Sequence, residues 1–191
     1  MKQIQDHYFY KAKKDGYVAR SVYKLQEIDQ KYHLLAKRNR VLDLGCSPGS
    51  WLQYAAKQVG KKGEVVGIDL SVVSLKLPEN VSVVQADIFD YPFQEEFDYP
   101  FDVILSDMAP KTTGVKSVDA QRACNLCERA LHIASHHLKP AGVLLVKAFQ
   151  GGPFEQLRRN FQQQYSRVKV YKPKSSRQES VEIFLLGLQK K

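Results

Sequence analysis

"RVKVYKPKSSRQESVEIFLLGL", residues 167–188, closes the chain with two strand-like runs and a short polar joint. "RVKVYKP" (167–173) and "SVEIFLLGL" (180–188) are rich in the β-branched, aromatic and aliphatic residues that suit a pleated surface. The joint "KSSRQE" (174–179) is too short for a helical crossover, so the last strand must run antiparallel to its predecessor. Upstream, apolar β-rich runs at 40–45, 63–70, 80–87, 101–107 and 142–149 alternate with helical patterns at 19–32, 50–60, 118–140 and 153–165. Such alternation predicts a parallel sheet with helices on both faces. The expected fold is therefore α/β and Rossmann-like: a doubly wound sheet of seven strands, mostly parallel, with an antiparallel last strand.

At 191 residues the chain is sized for one domain, expected over 1–191. A 43% hydrophobic content is spread through it, and no apolar run approaches the roughly 18–20 residues that span a bilayer. The amino terminus carries no apolar export core, so no membrane partner and a cytoplasmic location are expected. The net charge of +9 is unevenly placed: residues 1–40 carry +6, residues 167–191 carry +5, and the middle carries −2. A slightly acidic body between basic ends suits a phosphate-rich partner, although ordinary solubilising charge looks similar. Cys124 and Cys127 form a C-x-x-C, but it falls within a continuous helical pattern and no second ligand pair is spaced for zinc. No metal is expected, and the cysteines read as small core residues.

Ligands of open α/β sheets bind beyond the carboxyl ends of the strands. The first strand ends in "DLGCSPGSW" (43–51), where Gly45 and Gly49 permit a tight turn before a helix N-terminus. Ser47 and Pro48 break the dinucleotide fingerprint, which argues against NAD. Asp69 ends the second strand about 20 residues on, where a carboxylate can accept hydrogen bonds from ribose hydroxyls; a helix-capping role is the plain alternative. Asp87 ends the third strand, where it could accept from an adenine amino group, with Ile88 beside the ring. Asp107 ends the fourth. The fifth, "GVLLVKAF", is apolar until Lys147 places an ammonium at its carboxyl end. A lysine snorkelling from a strand end is the plain reading of that residue taken alone.

"RSVYKLQEID", "VLDLGCSPGSW", "DVILSDMAP", "LLVKAFQG" and "SSRQESVEIFLL" resemble, in order and spacing, segments of the FtsJ/RrmJ family of RNA ribose 2′-O-methyltransferases. The resemblance spans essentially the whole chain. It implies the seven-stranded methyltransferase fold, S-adenosylmethionine as cofactor, and a catalytic tetrad of Lys24, Asp107, Lys147 and Glu182. It implies cofactor contacts at Gly45, Gly49, Trp51, Asp69, Asp87 and Asp107. Glu182 is chosen over the nearby Glu179 by counting from "SSR", and strand alternation sets it opposite Val181 and Ile183. Ser50 departs from the glycine of many relatives and marks a place where the pocket could differ.

The implied reaction needs the acceptor oxygen held in line and relieved of its proton. Lys147 is the candidate base. A lysine with the reference pKa of about 10.4 is a poor base at neutral pH, so burial and neighbouring cations would have to favour the free amine. Asp107 and Glu182 favour the ammonium, and the alternative role of steadying the emerging alkoxide stays open. Basic residues 1–39, with Tyr8, Phe9, Tyr10, Tyr17 and Tyr23 among their lysines and arginines, are the expected RNA-binding segment; a helical cap with core aromatics is the plain alternative. By analogy the partner is large-subunit ribosomal RNA or its precursor, at a uridine ribose. A tRNA is the alternative substrate within the family, and a non-catalytic binding protein the alternative outside enzymes. A monomer with no DNA partner is expected.

Overall fold

The computed structural model describes residues 7–151, 153–177 and 180–191. The first six residues of the basic segment, Gly152, and Gln178 and Glu179 of the last joint lie outside them. Strands β1 (Arg40–Leu44), β2 (Glu64–Asp69), β3 (Val81–Gln85), β4 (Phe101–Ser106), β5 (Leu138–Phe149), β6 (Tyr165–Tyr171) and β7 (Glu182–Lys190) form one sheet. Its order is β3-β2-β1-β4-β5-β7-β6. The first five strands pair in parallel, while β7 runs antiparallel to both β5 and β6, as the short joint requires. The last strand also inserts between its two predecessors. Composition explains the swap: Ile183–Leu188 are buried in succession, whereas β6 is largely exposed, with Ser166, Arg167 and Lys169 among its solvent-facing residues, and suits an edge.

Alternation along the strands builds two cores. Val41, Val65, Leu105, Leu145 and Phe184 face α2 (Val22–Tyr32) and α3 (Ser50–Val59), meeting Leu25, Ile28 and Leu52. Leu42, Ile68, Ile104, Val146 and Leu185 face α5 (Lys116–His137) and α6 (Phe154–Gln164), meeting Cys127, Ala130, Leu157 and Phe161, with Phe93 of the short helix α4 (Phe93–Glu96) in the same core. Leu25 and Ile28 are wholly buried, each contributing about 1.5–3 kcal/mol. The cysteines are free and buried. Among the described residues no helix is long and apolar enough to cross a membrane.

Several boundaries differ from the sequence pattern: β5 starts at Leu138 rather than Gly142, β6 at Tyr165 rather than Arg167, and two helices differ for a clear physical reason. The helix expected from Ala19 starts at Val22, and a separate helix α1 (His7–Lys14) precedes it. Gln53 of α3 clasps the turn between them, accepting from the Val18 N–H at 3.1 Å and donating to the Gly16 carbonyl at 3.1 Å. The long helix α5 ends at His137 rather than reaching Pro140. Lys190, from the other end of the chain, donates to the carbonyls of Ala134, Ser135 and Leu138 at 2.9, 2.7 and 2.7 Å. It thereby caps the helix end, adding to the Leu138 N–H that the Ala134 carbonyl already accepts.

Candidate active site

Antiparallel register brings two strand-end charges together. Lys147 pairs with Phe184 and Phe149 with Glu182, so Lys147 and Glu182 share one sheet face, one pair apart. Lys147 belongs to the face covered by α2 and α3, and is 9% exposed. Its Nζ donates to the Asp107 carbonyl at 2.5 Å and lies 3.0 Å from the Asp107 carboxylate. Lys24 of α2 forms an ion pair with Glu182. All four residues that the resemblance singled out thus assemble into two ion pairs at one edge of the sheet, their side chains 8–17% exposed. From the opposite face, the Cys127 thiol donates to the Lys147 carbonyl at 3.1 Å. Burial pushes that thiol up to about 12, so it stays protonated as a donor.

The first turn of α3 fixes the amino-terminal side of the site. The Ser50 hydroxyl lies 2.9 Å from the Ser21 hydroxyl, and the Trp51 indole N–H donates to the Ser21 carbonyl at 2.9 Å. Trp51 also packs on Phe184, with ring centroids 6.0 Å apart. These contacts hold Ser21 three residues before Lys24. A hollow of about 260 Å³ opens here, lined by Arg20, Ser21, Lys24, Arg177, Ser180 and Glu182. Burial, and secondarily the charge of Arg177, lower the pKa of Arg20 from its ordinary value, marking a wall with two guanidinium groups. Arg20 also donates to the Ser175 carbonyl at 2.5 Å, tying the turn before α2 to the segment before β7.

A second cavity, of about 420 Å³, lies beyond the ends of β1, β2 and β3. Gly45, Asp69, Asp87 and Asp107 are on its wall, with Ile88, Phe89, Met108 and Leu126 as its apolar part. Gly45 has φ 77°, and a Cβ there would run into Met108. Asp69 is not a helix cap: it accepts from the Ser47 and Ser71 N–H groups at 2.9 and 2.7 Å, joining the glycine turn to the end of β2. Asp87 accepts from the Phe89 N–H at 2.9 Å. Gly49, with φ 112°, and Trp51 lie off this wall; a Cβ on Gly49 would come within 2.6 Å of Leu75, and the Trp51 indole points to Ser21 instead. Ser50 likewise braces Ser21 rather than altering the cavity.

The sequence reading missed Asp43. It lies wholly buried in β1, and neither carboxylate oxygen has a hydrogen-bond partner among the described residues. Burial, then the charges of Asp107 and Asp69, push its pKa well above the usual carboxylate range. Its signal was the same as that of Lys147, an ionisable residue inside an apolar strand. A cationic ligand is the natural complement to the three carboxylates on the cavity wall, Asp69, Asp87 and Asp107. The chemistry of the wall fits S-adenosylmethionine: carboxylates for ribose hydroxyls and positive charge, apolar side chains for a base, and a volume within the usual range for small-molecule sites.

The basic segment divides. Tyr23 is buried, donates to Asp15 at 2.8 Å, and packs against Tyr8 and Tyr17, so it is part of the support rather than a stacking face. Phe9 and Tyr10 are exposed, as are Lys11, Lys13 and Lys14.

A cavity suited to a nucleoside-bearing donor and a cationic hollow, both lined by members of one lysine–carboxylate cluster, define a group-transfer enzyme. Residues 17–190 match the family described as FtsJ-like methyltransferase, and the chain belongs to that family. Among its relatives, the Ribosomal RNA large subunit methyltransferase E of Bdellovibrio bacteriovorus is 47% identical, covering 98% of this chain and 97% of the relative. The protein of the same name from Syntrophobacter fumaroxidans is also 47% identical, covering 97% and 95%. A Plasmodium falciparum crystal structure described as a putative ribosomal RNA methyltransferase superposes with a TM-score of 0.78 at 30% identity, covering 91% of this chain and 98% of that one. Fibrillarin from Aeropyrum pernix, solved with S-adenosylmethionine bound, has a TM-score of 0.64 at 13% identity, covers 88% and 76%, and shares the fold.

Proposed function

We propose that this chain methylates a ribose 2′-hydroxyl of large-subunit ribosomal RNA, at a uridine, with S-adenosylmethionine as donor. The observation that carries this reading is the convergence of Lys24, Asp107, Lys147 and Glu182 as two partly buried ion pairs between a nucleoside-sized cavity and a cationic hollow. The names of its full-length relatives support ribosomal RNA as the substrate.

S-adenosylmethionine, when bound, supplies an electrophilic methyl group on a sulfonium. Asp69 would accept from its ribose hydroxyls and Asp87 from its base, and the Asp107 carboxylate would balance its positive charge. Gly45 gives close backbone approach, while Gly49 and Trp51 shape the turn behind the wall. The acceptor enters from the hollow of Lys24 and Glu182, where Arg20 and Arg177 face its phosphates. Lys24 and Glu182 orient the ribose. Lys147, its side chain aimed by Asp107, would first lose its own proton to solvent and then, as the free amine, take the hydroxyl proton as the oxygen attacks. The acceptor hydroxyl is the group that distinguishes RNA from DNA, which supports RNA as the partner. We read the enzyme as a cytoplasmic monomer.

The test is methyl transfer from labelled S-adenosylmethionine to isolated large ribosomal subunits, to naked ribosomal RNA and to tRNA, followed by mapping of the modified ribose. Label at one uridine 2′-oxygen of the large-subunit RNA is expected. Label confined to tRNA, or to a base, overturns the reading.

A further inference from the structure

The wall that holds Asp87 is secured from another element. After β3 the chain turns tightly: the Asp87 carbonyl accepts from the N–H groups of Asp90 and Tyr91 at 3.1 and 2.9 Å, and its carboxylate accepts from Phe89. Ile88 and Phe89, which follow, both line the cofactor cavity. Their carbonyls are held from α5. There Arg129, half-buried, donates through Nε to the Ile88 carbonyl at 2.8 Å and through Nη2 to the Phe89 carbonyl at 3.4 Å. Its guanidinium lies 5.7 Å from the centre of the buried Phe93 ring. Leu126, one helical turn earlier on α5, is itself on the cavity wall.

We propose that Arg129 is a positioning residue for the nucleoside end of the methyl donor, setting the height of the Asp87–Phe89 segment against the base. The proposal rests on the reading of Asp87 as the base-recognising carboxylate. A guanidinium suits this role because its fork offers two donors in fixed directions to two successive carbonyls. The ring beneath it keeps the fork from swinging away. Arg129 touches neither reacting atom, so its effect falls on donor affinity and base selection rather than on transfer.

Calorimetry with S-adenosylhomocysteine and S-inosylhomocysteine, which lacks the exocyclic amine, tests this on wild type, Arg129→Met, Arg129→Lys and Asp87→Asn. Arg129→Met is expected to weaken S-adenosylhomocysteine about tenfold, the weight of one charge-assisted hydrogen bond. It also narrows the preference over the inosyl analogue, while kcat at saturating donor and the KM for RNA stay within about twofold. Arg129→Lys recovers part of the loss, and carries the measurement alone if the Met variant does not fold. Unchanged affinity, or an equal loss for both ligands, overturns the proposal. Asp87→Asn separates the two ideas: full base preference in that variant overturns the reading of Asp87. Lost preference there with wild-type behaviour at position 129 overturns the role of Arg129 alone.

Discussion

Lys147 is bound to Asp107 twice over, donating to its backbone carbonyl at 2.5 Å and lying 3.0 Å from its carboxylate. Two contacts to one residue fix the amine in direction as well as place. Lys147→Met is expected to lower single-turnover methyl transfer by about 10²–10⁴-fold, the usual weight of a positioned acid or base. S-adenosylhomocysteine affinity should stay within about threefold. Lys147→Arg separates base from electrostatic partner, since arginine keeps the charge but does not give up its proton. The Arg variant is expected to be as slow as the Met variant; near-wild-type transfer by it would assign Lys147 to alkoxide stabilisation instead.

Asp107 stands on the cofactor wall as well as beside Lys147, so its loss has two consequences. Asp107→Ala is expected to reduce transfer at saturating donor and also to weaken donor binding. Calorimetry alongside single-turnover rates distinguishes this from the Lys147 variants, in which only the rate falls. A binding constant unchanged in Asp107→Ala would take this residue off the donor site.

Asp43 makes the stability of the ligand-free protein depend on pH. Its folded pKa is raised, so its contribution to stability is fully present below the ordinary carboxyl range and is lost as pH rises through the raised value. The steepest possible loss for one group is about 1.4 kcal/mol per pH unit. Thermal melts across pH should show Asp43→Asn declining less on the alkaline side than the wild type. Parallel pH curves would show that Asp43 does not carry this proton.

RNA affinity should fall steeply with salt. Each phosphate neutralised on a single strand contributes about 0.7 to the slope of log K against log salt. Lys13 and Lys14 are exposed on α1, and removing one that touches a phosphate is expected to flatten the slope by about that amount. Tyr10→Ala, at a 59% exposed ring, is expected to weaken RNA binding without lowering the melting temperature, whereas Tyr23→Ala lowers the melting temperature. Equal effects from both would place Tyr10 in the support as well.

Much of the site was legible because strand ends are. Lys147 and Asp107 stood out as charges terminating apolar runs, and the joint after Tyr171 required a reversal that the β6–β7 pairing contains. Local pattern said little about which element braces which. The Trp51 indole secures the Ser21 carbonyl, a contact 30 residues away in sequence that no local pattern announces. Tyr8, Tyr17 and Tyr23 read the same as Phe9 and Tyr10 in composition, and only packing separates a core ring from an exposed one.

The sequence alone determined the alternation of strands and helices, the antiparallel last strand and the carboxyl-edge position of the charged residues, because periodicity and joint length act within a few residues. Tertiary structure decided the insertion of β7 beside β5, and with it the meeting of Glu182 and Lys24 at the face that carries Lys147. It also decided that Asp43 is buried with no hydrogen-bond partner among the described residues, that Lys190 caps the end of α5, and that Arg129 holds the Ile88 carbonyl. Pairing across a sheet and desolvation depend on which distant segments exclude water from one another, and no local stretch of chain encodes that.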